Sequence, residues 1–451
     1  MPAVESYGVE PIPAELRTVG WRDLFAITFA FFLNPVMYVV GALAVVDGGL
    51  PVWWAVTATV LGQALAFGLL VIVAQPGVDY GLPGQVAMRA SLGVWGARGL
   101  SSPYRMIAAT YWFAAQALAG SLGIQAVVVA LGGSKPPLVP VALALAVFHA
   151  TLAVLGFDVM RYVVRVVLPL SLALTAVLVA LYLTSDDPRY AVGRVFHSPD
   201  QHLTWTGFAT YVTVMCGASL TLVTNVADLC RYTPTRRDLR IGLFASSVIA
   251  VALTTFVGGY AAAATGELNP FIAVADLTRV DALLVVVLAA IVVQGIAANI
   301  TNVYTAGLSL VNAVPALGRL GATATVAVAA IALSAFPGLI EEAQTWIAHL
   351  GNVAAPLTGV VLADYLVVKR GRIDVEALFD RAGRYRYVNG VNLAALLAVA
   401  AGAGVYSAVP QAWVKVVWGL AAAAIAYLAL EPVQQALLMR ARRAQASTEA
   451  A

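Results

Sequence analysis

Apolar runs set the pattern of this chain. Twelve of them, roughly 21–46, 52–75, 103–131, 138–157, 161–184, 204–229, 240–265, 282–313, 319–337, 344–368, 387–408 and 412–432, alternate with short segments carrying Gly, Pro and most of the charge. A helix rises about 1.5 Å per residue, so about twenty apolar residues cross a hydrocarbon core of about 30 Å. The pattern predicts an all-α integral membrane protein with twelve transmembrane helices, of which span 9 is the weakest. Two loops carry shorter helical patterns. The stretch 80–98, after span 2, predicts a short helix packed on one membrane face, and 266–281, before span 8, predicts a surface helix that either lies at the interface or covers a vestibule.

Span 1 is interrupted by Asn34-Pro35. Pro35 has no N–H and disfavours helical geometry at Asn34, so carbonyls near Phe31 lose their donor. An unpaired backbone group in lipid costs several kcal/mol, so a break there faces protein, water or a ligand. A packing kink and a binding site both satisfy that condition. Span 6 places Gly217, Ala218 and Ser219 where a helix can open. Interruptions in spans 1 and 6, five spans apart, predict a five-plus-five inverted-repeat transporter core with discontinuous helices 1 and 6.

Composition agrees. The 451 residues are 61% hydrophobic and 11% charged, against about 25% charge in soluble domains. Mean hydropathy is +0.87. The net charge of +3 gives nucleic-acid binding no support, and Cys216, Cys230 and four scattered histidines suggest no metal or cofactor. Basic residues are asymmetric. Lys135, Arg189, Arg194, Arg279 and Lys415 fall in one set of loops and the other 21 of the 26 in the opposite set and the termini. The positive-inside rule then puts both termini in the cytoplasm of a multi-pass protein of the cell (inner or plasma) membrane. No cleavable signal segment is read in 1–20, which predicts a cytoplasmic leader.

Few polar residues lie inside the spans. Trp112 and Gln116 share one face of span 3, where an aromatic plane beside an amide can stack a flat heterocycle and bond its edge, or can simply join helices. Span 8 carries Gln294, Asn299, Thr301, Asn302 and Tyr304, a density that favours a polar cavity. Paired acids, a nucleophile with its base, or metal ligands are missing from the spans, which argues against an intramembrane enzyme. A carrier of amino acids or other small zwitterions would need free helix-1 amides for a carboxylate.

At these residues the chain resembles the nucleobase:cation symporter-1 family of cytosine/purine permeases and hydantoin and allantoin transporters. The most specific stretch is His349–Asp374, with its Pro-Leu-x-Gly-x-x-x-Ala-Asp-Tyr core followed by Arg-Gly-Arg-Ile-Asp; the 80–98 loop and Asn225–Pro234 are similar too. The resemblance implies a first repeat at 21–184 (helices 1–5), a second at 185–370 (helices 6–10), a cytoplasmic loop at 371–386, helices 11–12 at 387–432 and a cytoplasmic tail at 433–451. It implies a secondary-active transporter, not an enzyme, that moves a nucleobase or related planar ring by alternating access, coupled to sodium or a proton. Trp112 would stack on the ring, Gln116 would bind its edge, and Asn34, Gly217, Ala218, Ser219, Gln294 and either Asn299 or Asn302 would complete the site. The helix-6 aromatic of many members has no counterpart at Gly217–Leu220. Sodium-coupled members place a Ser/Thr pair on helix 8; the matching Ala297 and Ala298, with Phe31 and Asn34, would leave only a weak cation site.

Overall fold

The computed structural model describes residues 7–153, 157–198, 201–380 and 383–449. The described secondary structure is helical, save one isolated bridge between Val388 and Val391. The helices that matter for function are α1 (Trp21–Phe32), α2 (Pro35–Val46), α3 (Val52–Val73), α4 (Gly84–Leu92), α5 (Ser102–Ala130), α6 (Leu138–Ala153), α7 (Phe157–Leu183), α8 (Trp205–Leu220), α9 (Val226–Cys230), α10 (Ser246–Thr265), α11 (Pro270–Leu277), α12 (Asp281–Ala313), α13 (Gly318–Leu333), α14 (Ala343–Leu362), α15 (Leu393–Ala408) and α16 (Lys415–Glu449). Among the described residues nine helical segments are long and apolar enough to span a membrane, and α1 with α2, bent by 57°, makes a tenth. The two remaining predicted spans coincide with the shorter apolar helices α6 and α15.

Span 1 is broken where Pro35 requires it. Span 6 breaks later than its small residues suggest: α8 runs through Gly217, Ala218 and Ser219 to Leu220, a 3₁₀ turn covers Thr221–Thr224, and α9 restarts at Val226. Gly217 serves close packing instead, since a Cβ there would lie 3.3 Å from the Cα of Gly351 on α14. Close approach also joins α2 to α10, where a Cβ on Gly258 would lie 1.9 Å from the carbonyl oxygen of Tyr38.

Other boundaries move for local reasons. Span 11 starts at Leu393, because Asn389-Gly390 adopts positive φ in a turn and Asn392 caps the helix through the Ala395 amide. The last helix runs on to Glu449 through a stretch rich in Ala, Gln, Leu and Arg, all good helix formers. The two loop helices exist but are not superficial. Every residue of α4 is buried. Gln85 donates to the Thr224 carbonyl at 3.3 Å and to Ser309 Oγ at 3.1 Å, and the Gly84 amide donates to Asp228 at 2.6 Å. Thus α4 seals one end of the bundle against the broken helix 6. On the other side α11 is sunk among the spans: Phe271 meets Tyr38 edge-on, and Tyr182 donates to the Pro270 carbonyl at 2.7 Å.

Candidate functional site

One asparagine closes both sides of the first break. Asn34 Nδ2 donates to the Phe31 carbonyl at 2.6 Å, and its Oδ1 accepts the Met37 N–H at 3.0 Å. Gln116 Oε1, reaching across from α5, accepts the Val36 N–H at 3.2 Å. Pro35 has no N–H to offer. The first turn of α2 therefore keeps no free amide at Val36 or Met37, and the carbonyl freed at Phe31 is already bonded.

Asn34, Trp112, Gln116, Ala218, Ser219 and Asn302 line one small cavity beside this break, with a volume of about 20 Å³. Phe31, Phe32 and Met37 of the broken helix and Thr221 and Leu222 of the 3₁₀ turn complete it. Trp112 is 6% exposed, and its indole N–H donates to Thr221 Oγ1 at 3.2 Å, which fixes the ring plane. Asn302 Oδ1 accepts from Arg105 at 3.0 Å, while its Nδ2 has no partner among the described residues. The Gln116 NH₂ group likewise makes no hydrogen bond to described residues, its Oε1 being the bonded atom. The cavity thus combines an indole face with two amide groups whose donors are unspent, and no carboxylate lines it.

Gln294, Asn299 and Gly217 lie elsewhere. Gln294 donates to Thr175 Oγ1 at 2.9 Å and to the Ser171 carbonyl at 3.3 Å, tying α12 to α7. Asn299 bonds His149 Nδ1 at 2.9 Å, tying α12 to α6. Gly217 faces Gly351. Ser219 lines the cavity but donates its hydroxyl to Gln63. For the cation site, Ala297 and Ala298 are buried, the Ala297 carbonyl accepts from Thr301 Oγ1 at 2.8 Å, and the Phe31 carbonyl is held by Asn34. A sodium ion needs several hard oxygens in place of its hydration shell. The residues present do not fit that requirement.

Two contributors were not legible in sequence. Thr221 belongs to a break that no Gly or Pro marks. Arg105 reads as a loop charge at the start of span 3, yet it is wholly buried and donates to Asn302 at 3.0 Å and to Thr305 Oγ1 at 2.7 Å. Asp228 and Arg231 are also fully buried; Arg231 holds the Gly8 carbonyl and the Tyr304 hydroxyl, each at 3.0 Å.

Two interrupted helices meeting at one cavity are the arrangement from which membrane transporters build their binding sites. The lineage of this chain is plain. Residues 11–429 match the family described as permease for cytosine/purines, uracil, thiamine, allantoin, and the chain belongs to that family. It is 26% identical to the allantoin permease of Bacillus subtilis over 90% of this chain and 89% of that one. It is also 26% identical to the purine-uracil permease of Arabidopsis thaliana, over 89% of this chain and 70% of the relative. A nucleobase-cation-symport-1 family transporter, solved in a closed conformation with bromovinylhydantoin bound, superposes with a TM-score of 0.83 at 20% identity over 96% of both chains.

Proposed function

We propose that this permease carries a neutral, flat, carbonyl-bearing heterocycle of the nucleobase, hydantoin or allantoin kind across the cell membrane. The observation that carries this reading is the cavity itself: the Trp112 face lies in one space with the unspent amide donors of Gln116 and Asn302. An indole face stacks any flat ring, and NH₂ groups select ring carbonyls and acceptor nitrogens. The helix-6 wall, Ala218 to Leu222, offers no aromatic ring, but Phe31 and Phe32 bring aromatic surface from the broken helix. Relatives named for allantoin, purine-uracil and hydantoin transport support the same substrate class.

A zwitterionic substrate fits poorly. Its carboxylate would need free amides at the start of α2, and those of Val36 and Met37 are taken by Gln116 and Asn34. Sodium coupling fits poorly too, because Ala297 and Ala298 offer no side-chain oxygen to complete a cation's shell. Proton coupling or ion-independent transport agrees better with these residues. The basic asymmetry of the loops supports an orientation with both termini in the cytoplasm. A thermal-shift and uptake screen over cytosine, uracil, adenine, hypoxanthine, guanine, allantoin and hydantoins, with and without sodium, tests the reading. Stabilisation by at least one neutral ring is expected. Stabilisation by amino acids alone would overturn it.

A further inference from the structure

Beneath the Trp112 cavity, on its α4 side, lies a second polar layer. In the 3₁₀ turn Thr221–Thr224 side chains three residues apart eclipse one another. Thr221 and Leu222 line the cavity, so Thr224 and Asn225 fall in the next layer down. The Asn225 N–H continues that turn, donating to the Leu222 carbonyl at 3.0 Å. Across the bundle Arg105 stands two turns from Trp112 on the same face of α5. Its guanidinium donates to Asn302 Oδ1 at 3.0 Å and to Thr305 Oγ1 at 2.7 Å. Helix α4 closes the layer from the far side. A Cβ on Gly84 would lie 2.4 Å from the Thr224 carbonyl oxygen and 2.8 Å from the Asn225 Cα.

Thr224, Asn225 and Arg105 are each 0% exposed. Yet Thr224 Oγ1, both ends of the Asn225 carboxamide and Arg105 Nη1 make no hydrogen bond among the described residues. Buried polar groups are ordinarily paired, and an unpaired one costs stability. These atoms therefore contribute nothing to holding this arrangement of helices. The layer is not a bare charge: Asp228, which accepts the Gly84 amide at 2.6 Å, is the carboxylate whose field reaches Arg105. Polar groups also continue past it. Along α12, Asn302, Thr305, Ser309 and Asn312 recur at helical spacing; the last two are bonded to Gln85 and Arg89 of α4. A buried polar lane thus runs from the cavity to α4.

We propose that the Thr224–Asn225 layer is a second, transient station for the substrate ring, met one turn deeper as the ring moves from the Trp112 cavity toward α4. This rests on the proposed transport of a flat heterocycle. Asn225 is the residue that reads the ring. Its NH₂ and its carbonyl oxygen, both unspent, match a ring edge bearing C=O next to N–H, as in cyclic imides and lactams, through a reciprocal pair of hydrogen bonds. The unspent amide groups of the cavity, on Gln116 and Asn302, are donors alone. The deeper layer adds an acceptor, and so selects rings that carry an N–H beside the carbonyl. Passage requires α4 to give way at the Gly84–Asn225 contact.

Asn225→Leu and Thr224→Val nearly keep the size of each side chain and remove its polar atoms. The test uses full-length protein. Uptake into liposomes of the ring that the wild type carries, uracil or hydantoin, is set beside its affinity by isothermal titration and the melting temperature. A transit station predicts a split among the three. Affinity should stay within about twofold, because the Trp112 cavity is untouched. The melting temperature should be equal or higher, since an apolar group in place of an unpaired polar one does not destabilise. The maximal uptake rate should fall at least about fivefold, the worth of one or two hydrogen bonds on the path. An N-methylated ring, which lacks the N–H that Asn225 accepts, should lose less rate in Asn225→Leu than the parent ring. A melting temperature lowered in both variants makes these groups structural and overturns the proposal, as does uptake unchanged in both. If Asn225→Leu does not fold, Thr224→Val decides by the same three measurements. Uptake by wild type and variants alike removes this station and leaves the transport reading standing, whereas a wild type that carries no ring removes both.

Discussion

In the proposed site Trp112 and Asn302 would divide the work of recognition between surface and edge. Replacing a stacked aromatic by alanine costs roughly 1–3 kcal/mol per ring in comparable sites, so Trp112→Ala should weaken heterocycle binding by about that much in isothermal titration while the protein still folds. Asn302 and Asn299 give a sharper contrast. Asn302 presents a free NH₂ to the cavity, and its loss should weaken substrate about fivefold, near the 1 kcal/mol of one hydrogen bond. Asn299 holds His149, so Asn299→Ala should instead lower thermal stability, by about 1–3 kcal/mol for an orphaned buried group, with substrate affinity nearly unchanged. Equal effects of the two changes on affinity would mean that both face the ligand. Sequence could not separate them. Three residues apart, they sit about 60° apart on the helix, and both belong to one polar stripe. Trp112, Gln116 and Asn34 were legible, because a 3.6-residue period and a proline leave distinct marks. Arg105 was not, since a charge at a span's edge looks the same whether it enters water or protein.

The breaks show what an element's sequence does and does not reveal. In span 1 the proline dictates the place, and Asn34 and Gln116 satisfy the groups it frees. In span 6 the small residues mark a helix contact, because glycine in a membrane helix more often admits a neighbour's backbone than it opens the chain. The real break at Thr221–Asn225 is held from outside, by α4 through Gln85 and Gly84, and tertiary support of that kind leaves no local signal. The same logic separates two helix glycines. Gly258→Val drives a side chain into the Tyr38 carbonyl and should destabilise the α2–α10 pair by about 3 kcal/mol or more, lowering the melting temperature and yield. Gly404, on α15, has open space around it, so Gly404→Ala should be neutral or stabilising by up to about 1 kcal/mol. A melt of the two variants side by side decides whether close approach, not glycine content, sets these positions.

For the whole molecule, orientation and coupling are the properties that transport depends on. Arg89, Arg105 and Arg231 are buried in protein and are not exposed loop charges. Cysteines introduced at the exposed Arg237 and Arg372 should resist an impermeant maleimide added to intact cells; Cys216 and Cys230 are buried and give little background. Coupling is decided by oxygen supply at the first break. A cation there would find the Phe31 and Ala297 carbonyls each already sharing one lone pair with a protein donor, with no hydroxyl from Ala297 or Ala298 to repay the lost hydration. An ion that does not bind cannot raise substrate affinity, since the coupling free energy between two ligands is reciprocal. Substrate affinity should therefore change less than about twofold between sodium and choline media, a coupling under ~0.4 kcal/mol. The paired change Ala297→Ser and Ala298→Thr should introduce a measurable sodium dependence, because it supplies the two hydroxyls the cage lacks. A wild-type affinity that rises tenfold with sodium alone would show that oxygens other than these complete the shell, and would return sodium symport to this chain.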